Sequence, residues 1–361
     1  MECGGEASTS ASDQPARVHI FICSAAKNAD RRNSLRRSWF RYLTDADSPL
    51  PARFRPGVSV HFIISRESRC EEVDAEQTQH GDILYLDAPA GYHNLWRKAL
   101  CFLAWLEEHT AAATASGSGR AGDAGSRLPD ADPGGASASA SSASTPAATA
   151  ATASAAAAAA AAAATAASHD YDYVMHADDD SFVRLDLLLP MMASWPRQRH
   201  YWGYIWDGTG NRVTAPIRNP ANKSHMPAEQ YPLDYYPPFA SGCGFVLSRD
   251  LVLALLSRPL PDYRLLDPPF GIHLCGPPQY CVVSGGPVAP VHEERVRPYR
   301  PLPTFRPDTL VQHYLRAEEM RPYWEQALEA ARGGPAAAAS DAAGAPQELY
   351  NTLVSLGLLR R

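Results

Sequence analysis

The sequence predicts an α/β protein with a mostly parallel central sheet flanked by helices. Short apolar runs of strand length alternate with longer stretches of helical period, as in sheets whose strands are joined by helical crossovers. Three consecutive aspartates close one apolar run, and in such sheets ligands bind beyond the carboxyl ends of the strands. VHIFICSA (Val18 to Ala25) reads as the first buried strand. RRNSLRRSWFRYL follows as a helix, with Leu35, Trp39 and Leu43 four apart on one face. VSVHFIIS (Val58 to Ser65) and DILYLD (Asp82 to Asp87) are the second and third strands. NLWRKALCFLAWLEEH is a helix with Leu95, Ala99, Phe102 and Leu106 as its apolar stripe. YDYVMHA is the strand that runs into Asp178, Asp179 and Asp180, and LDLLLPMMASW resumes as helix.

From 110 to 168 the composition collapses to Ala, Ser, Gly, Thr and Pro, with ten consecutive alanines at Ala155 to Ala164. This reads as a disordered low-complexity insertion. A transient alanine helix is an alternative, and a membrane span a weaker one, because alanine offers little apolar area. Insertions of small residues survive where a loop already existed, so one domain is split in sequence without being split in space. The expected organisation is a disordered N-terminus (1–17), a single domain (18–330) and a tail (331–361).

With 33 Lys+Arg against 39 Asp+Glu, the 361-residue chain carries a formal charge of -6. That speaks against a nucleic-acid binder relying on bulk positive charge. Seven cysteines show no zinc spacing; Cys275 and Cys281 are near enough in sequence to bridge a loop. The N-terminus has neither the basic region nor the apolar core of a signal peptide.

Adjacent carboxylates repel and need open water or a cation. Mg²⁺ or Mn²⁺ takes hard oxygen ligands and leaves room for phosphate oxygens. Arg31, Arg32, Arg36 and Arg37 crowd the first strand-to-helix connection, either as a solvated helix start or as partners for a bound anion. Neither a GxxxxGK[ST] nor a GxGxxG loop is present.

RRNSLRRSW resembles the opening motif of the β-1,3-glycosyltransferases. GDILYLDAPAGYHNLWRKAL resembles the second motif of that family at Asp82, Tyr92, Asn94, Leu95 and Lys98. ADDDSF resembles its aspartate motif, and FASGCGFVLSRD its glycine-rich strand motif at Gly242, Gly244 and Ser248. The four occur in the family's order, over about Val18 to Trp324 without the insertion. DDDSFVRLDLLL with YWGY (Tyr201 to Tyr204) is most similar to the galactosyltransferases of the proteoglycan linkage region.

The resemblance implies a GT-A fold and an inverting, metal-dependent transfer of a hexose from a UDP-sugar to a glycan or glycoprotein acceptor, making a β-1,3 linkage. UDP-galactose is the implied donor, with UDP-N-acetylglucosamine as the alternative. Asp180 inherits the Mn²⁺ ligand role, with Mg²⁺ as a substitute, and His313 in DTLVQHYL is the second metal ligand. Without the resemblance, His313 reads as a polar residue on a C-terminal helix from about Asp308. Asp178 and Asp179 are placed near ribose or the metal shell; Ser24, Arg31, Arg32, Arg36 and Lys98 are placed around the donor. The family also implies the Golgi lumen and a membrane signal-anchor. No anchor can be read here, and a truncated N-terminus is the explanation preferred.

Two departures stand out. In YRLLDPPFGIHL, Leu266 occupies the position of a family glutamate, leaving Asp267 as the base, and the two following prolines disfavour helix. His176 replaces a lysine before the aspartate motif. A degenerate sugar-binding member is therefore the alternative from a different class, and a Mg²⁺-dependent phosphotransferase without a nucleotide loop ranks below it. Trp202, Tyr204 and Trp206 read equally as sugar platform or core. Tyr235 and Tyr236 are candidates for an acceptor-facing loop. HEERVRP reads as a solvated charge run.

Overall fold

The computed structural model describes residues 15–117, 171–301 and 305–333. Nearly all of the expected insertion, and most of both expected termini, lie outside these residues. In chain order the strands are β1 (Val18–Cys23), β2 (Val58–Ser65), β3 (Ile83–Leu86), β4 (Tyr173–Asp178), β5 (Phe182–Val183), β6 (Tyr201–Trp206), β7 (Phe239–Ser248), β8 (Val291–His292), β9 (Val296–Arg297) and β10 (Val311–Gln312). The helices are α1 (Ala29–Arg36), α2 (Arg41–Thr44), α3 (Glu71–His80), α4 (Leu95–Gly117), α5 (Leu185–Met192), α6 (Arg249–Leu256), α7 (Asp267–Leu274) and α8 (Ala317–Ala331).

The main sheet has seven strands in the order β3-β2-β1-β4-β7-β6-β8, and a small second sheet runs β5-β10-β9. Strands β3, β2, β1 and β4 run parallel to one another, whereas β7 is antiparallel to both β4 and β6. The sheet is thus mixed. β7 follows β6 through a connection without a helix and returns in the opposite direction.

Alternation along the central strands buries both faces. Ile20 and Ile22 join one apolar cluster with Trp39 and Trp324. Phe21 and Cys23, on the other face of β1, join a second cluster with Phe102 and Phe270. The Leu95, Ala99, Phe102 and Leu106 stripe of α4 packs on this second face. Trp202 and Tyr204 are buried in the first cluster, so their role is core, and only Tyr235 of the two loop tyrosines reaches the surface.

Several expectations are corrected. The helix expected through Leu43 breaks after Arg36 and resumes at Arg41, because Trp39 and Phe40 turn inward to pack. α3 gave no apolar pattern: Val73 is its one buried residue. α4 runs on to Gly117, into the segment assigned to the insertion, as its alanines favour helix. Pro268 and Pro269 lie in the first turn of α7, where a missing N–H costs nothing, and so they start a helix rather than prevent one. The HEERVRP run contains β9, whose Val296 and Arg297 are buried. His313 lies just after β10, ahead of α8, and not on a helix. Cys275 and Cys281 are free thiols. The membrane signal-anchor is not found: among the described residues no helix is long and apolar enough to cross a membrane. The longest, α4, carries Arg97, Lys98, Glu107 and Glu108, which a hydrocarbon layer would reject.

Candidate metal centre and active site

β4 pairs with β1 so that Asp178 lies opposite Cys23, at the carboxyl edge of the parallel strands. The chain then turns, with the Ser181 N–H donating to the Asp178 carbonyl at 3.0 Å. Trp39 Nε1 donates to the Ser181 carbonyl at 3.1 Å and pins the turn to the core. The next residues form β5, which pairs with β10, Phe182 opposite Gln312. This small sheet carries His313 to the aspartates. The His313 N–H donates to the Arg297 carbonyl on β9, and the Leu315 N–H donates to the Asp180 carbonyl at 3.0 Å. Tyr314 between them adopts φ +58, a left-handed conformation that costs about 1 kcal/mol or more for a residue with a side chain. Its ring stacks on the His313 imidazole with centroids 3.8 Å apart.

Asp178, Asp180 and His313 each offer one ligand atom, all within 4.8 Å of one another. His313 Nε2 lies 3.1 Å from Asp180 Oδ1 and 3.3 Å from Asp178 Oδ2. Adjacent ligands of an octahedral cation with bonds of about 2.1 Å are spaced by roughly 3 Å, so the set fits a hard divalent ion. Burial alone would lower the His313 pKa, but hydrogen bonds and charge from the two aspartates raise it to about 10. Burial would raise Asp180, yet His313 and Arg31 hold it below the usual carboxylate range. In the metal-free chain a proton on His313 therefore stands in for the cation.

Asp179 points elsewhere. It is buried and accepts from Ser24 Oγ at 2.9 Å, Asn28 Nδ2 at 2.7 Å and Arg31 Nη1 at 2.7 Å. Its role is to lock the aspartate turn to the first strand-to-helix connection. Arg31 also reaches Asp180 at 3.3 Å with its side chain partly open to solvent. Lys98 is buried beneath, 3.4 Å from the Ser24 carbonyl, and burial lowers its pKa.

The other two arginines are otherwise engaged. Arg32 is fully buried against Glu76 at 2.5 Å and the Ala25 carbonyl at 2.6 Å, with Ser24 Oγ at 3.3 Å. Arg36 binds Asp82 at 2.7 Å and Glu76 at 2.6 Å. Arg32 fastens α1 to α3, Arg36 fastens it to α3 and to the start of β3, and both spend their charge there.

Asp267 opens α7, which packs against β7. Burial and the charge of Asp178 push its pKa up to about 7, against the pull of the Gly242 N–H and His313. Gly242 makes room for it: a Cβ there would lie 2.3 Å from Asp267 Oδ1. Gly242→Ala should leave the fold intact but displace the carboxylate, cutting turnover on the order of a hundredfold; circular dichroism and a transfer assay read the two effects separately. His176, buried between the sheets' strands, donates from Nδ1 to the Gly242 carbonyl at 2.7 Å and stays neutral because burial lowers its pKa. Leu266 turns into the second apolar cluster, so the position offers no carboxylate beside Asp267.

Sequence reasoning brought Asp178, Asp180, His313 and Asp267 to one place but gave Asp178 a looser part than its position in the triad. It missed Asn28 and Tyr314. Asn28 had no signal beyond its distance from the arginine run, and the conformation of Tyr314 leaves no mark in the sequence.

A mixed α/β sheet with a carboxylate–imidazole cluster at the carboxyl end of a central parallel strand is consistent with a GT-A-like fold whose cluster could hold a divalent cation. Residues 30–115 and 158–259, just over half of the chain, match the Galactosyltransferase family, and the chain belongs to that family. It is 30% identical to mouse (Mus musculus) beta-1,3-galactosyltransferase 6 over 71% of this chain and 61% of that protein. It is 23% identical to Pan paniscus beta-1,3-galactosyltransferase 5 over 69% of this chain and 61% of the relative. Over a shorter stretch, 26% of this chain and 28% of the relative, it is 39% identical to human (Homo sapiens) beta-1,3-galactosyltransferase 1. The chain thus spans about three fifths of the length of the first two.

Proposed function

We propose that the chain transfers galactose from UDP-galactose to a terminal sugar hydroxyl of a glycan or glycoprotein, forming a β-1,3 linkage with inversion. The observation that carries this reading is the Asp178, Asp180 and His313 set with Asp267 beside it, in the room left by Gly242, where burial and the charge of Asp178 push the carboxyl up to about 7. A base with a pKa near the working pH transfers protons most effectively. In the reaction the acceptor hydroxyl oxygen forms a bond to the anomeric carbon as the bond from that carbon to the diphosphate oxygen breaks. The hydroxyl proton passes to Asp267, and UDP departs. Asp178, Asp180 and His313 would hold Mn²⁺ or Mg²⁺, which when bound neutralises diphosphate charge. Arg31 adds a cation on the same side, and Asp179, Ser24 and Asn28 keep the turn rigid.

The galactose donor rests on the similarity to the named relatives and on the run from Asp178 to Leu189; UDP-N-acetylglucosamine is the second reading. The proposed compartment is the Golgi lumen, and the proposed organisation is one catalytic domain over 18–330, interrupted at 110–168. A side-by-side assay with Mn²⁺, both donors, and galactoside and xyloside acceptors tests the proposal. Turnover with UDP-galactose supports it, preference for the N-acetylglucosamine donor replaces the sugar, and no turnover with either favours a non-catalytic sugar binder.

A further inference from the structure

Three connections meet on the edge of the sheet that carries Asp178 and Asp267. They are the β3–α4 connection at Tyr92 and His93, the β6–β7 connection at Lys223, and the segment before α7 at Arg264. Trp96 Nε1 donates to the Pro261 carbonyl at 3.1 Å, tying the start of α4 to the third of these. His93 Nε2 lies 2.9 Å from the Lys223 carbonyl, and an N–H there donates to it. Arg264 Nη2 lies 3.3 Å from Nδ1 and 3.4 Å from Nε2 of the same ring. Lys223 Nζ lies 5.4 Å from the centre of the exposed Tyr92 ring.

What these cations lack is an anion. Two other surface arginines on this side do have carboxylates, Arg66 with Asp87 and Arg97 with Asp262, and Arg218 on the β6–β7 connection spends its donors on the Met226 and Leu233 carbonyls. Arg264, half-buried, has only the His93 ring, and neither it nor Lys223 has a carboxylate partner among the described residues. A guanidinium with most of its five N–H groups uncommitted costs free energy to hold partly out of water unless an anion joins it. Arg31, within 4 Å of both Asp179 and Asp180, serves the metal side, while no ion pair links Arg264 or Lys223 to the triad.

We infer that Lys223 and Arg264, brought together by the His93 ring, form an anion subsite at the acceptor side of the cleft, and that the preferred acceptor carries a sulfate, phosphate or carboxylate close to the hydroxyl that reacts. Tyr92 offers the adjoining aromatic face for a pyranose. The inference rests on the proposed transferase reading only in calling the ligand an acceptor. The competing source of the same chemistry is the diphosphate of the donor.

Ligand-observed NMR titration of the full chain with methyl β-galactoside 6-sulfate, methyl β-galactoside, and UDP with Mn²⁺ separates these. The sulfated sugar should bind about tenfold or more tighter than the neutral one, less so at high salt. Lys223→Ala with Arg264→Ala should remove that preference and leave UDP binding unchanged, and Arg264→Lys should keep part of it. Equal binding of the two sugars by the unaltered chain overturns the subsite, and weaker UDP binding in the double variant assigns the cations to the donor instead. Because binding is read without turnover, an inactive chain that prefers the sulfated sugar would retire the transferase reading and keep the subsite.

Discussion

Asp267→Asn is expected to abolish transfer and, at the same time, to stabilise the metal-free chain above neutral pH. The first effect follows from removing the base, which contributes about a hundredfold to ten-thousandfold in such reactions. The second follows from the sign of the pKa shift. Asp267 is raised from its ordinary value of 3.8 to about 7 by burial and by Asp178. An acid whose folded pKa is raised favours folding when protonated. As pH climbs from about 4 to 7 the unfolded chain releases the proton first, and the folded state loses stability over that window. A shift of this size sets a ceiling of about 4 kcal/mol. Solvent reaching the half-buried group reduces the realised cost to about 1–2 kcal/mol. Asn keeps the volume and never ionises, so the melting temperatures of variant and parent should diverge between pH 4 and 7 and stay apart above it. A variant that melts lower than its parent at pH 8, or that still turns over, contradicts the assignment.

Loading the metal should expel about one proton, and Asp180→Ala should remove both the proton and the activity. In the metal-free chain His313 keeps its proton up to a pH of about 10 because Asp178 and Asp180 hold it. A cation needs the neutral imidazole, so below that pH binding must displace the proton, and apparent affinity should rise about tenfold per pH unit. Calorimetry of Mn²⁺ binding in buffers of different ionisation enthalpy counts the proton directly. Asp180→Ala deletes one ligand while the backbone carbonyl still accepts from Leu315, so the fold should persist. Loss of several kcal/mol of charge stabilisation corresponds to a turnover lower on the order of a thousandfold. Proton-free binding in the parent, or unchanged metal-dependent turnover in the variant, removes the triad from the mechanism.

Much of this site was visible in the residues because its chemistry is local. Asp178 to Asp180 are contiguous, at the end of an apolar run, and both strand period and carboxylate repulsion act over neighbouring residues. The arginine run was equally visible, but its meaning was not. Arg31, Arg32 and Arg36 lie within about a turn and a half of one helix, yet only Arg31 faces the aspartates. The others meet Glu76 and Asp82, whose positions depend on how α3 and β3 pack.

The sequence by itself determined the alternating strands and helices, the carboxylate cluster at a strand end and the likeness to a glycosyltransferase family. All of these are carried by side-chain pattern along the chain. Only the tertiary structure decided that β7 reverses, that Asp178 rather than Asp179 joins the metal set, and that two prolines begin a helix at Asp267. It also decided how His313 reaches Asp180, through the pairing of β5 with β10. The physical reason is that ligand geometry and desolvation depend on distances between residues far apart in the chain, and those distances exist only once the sheet has formed.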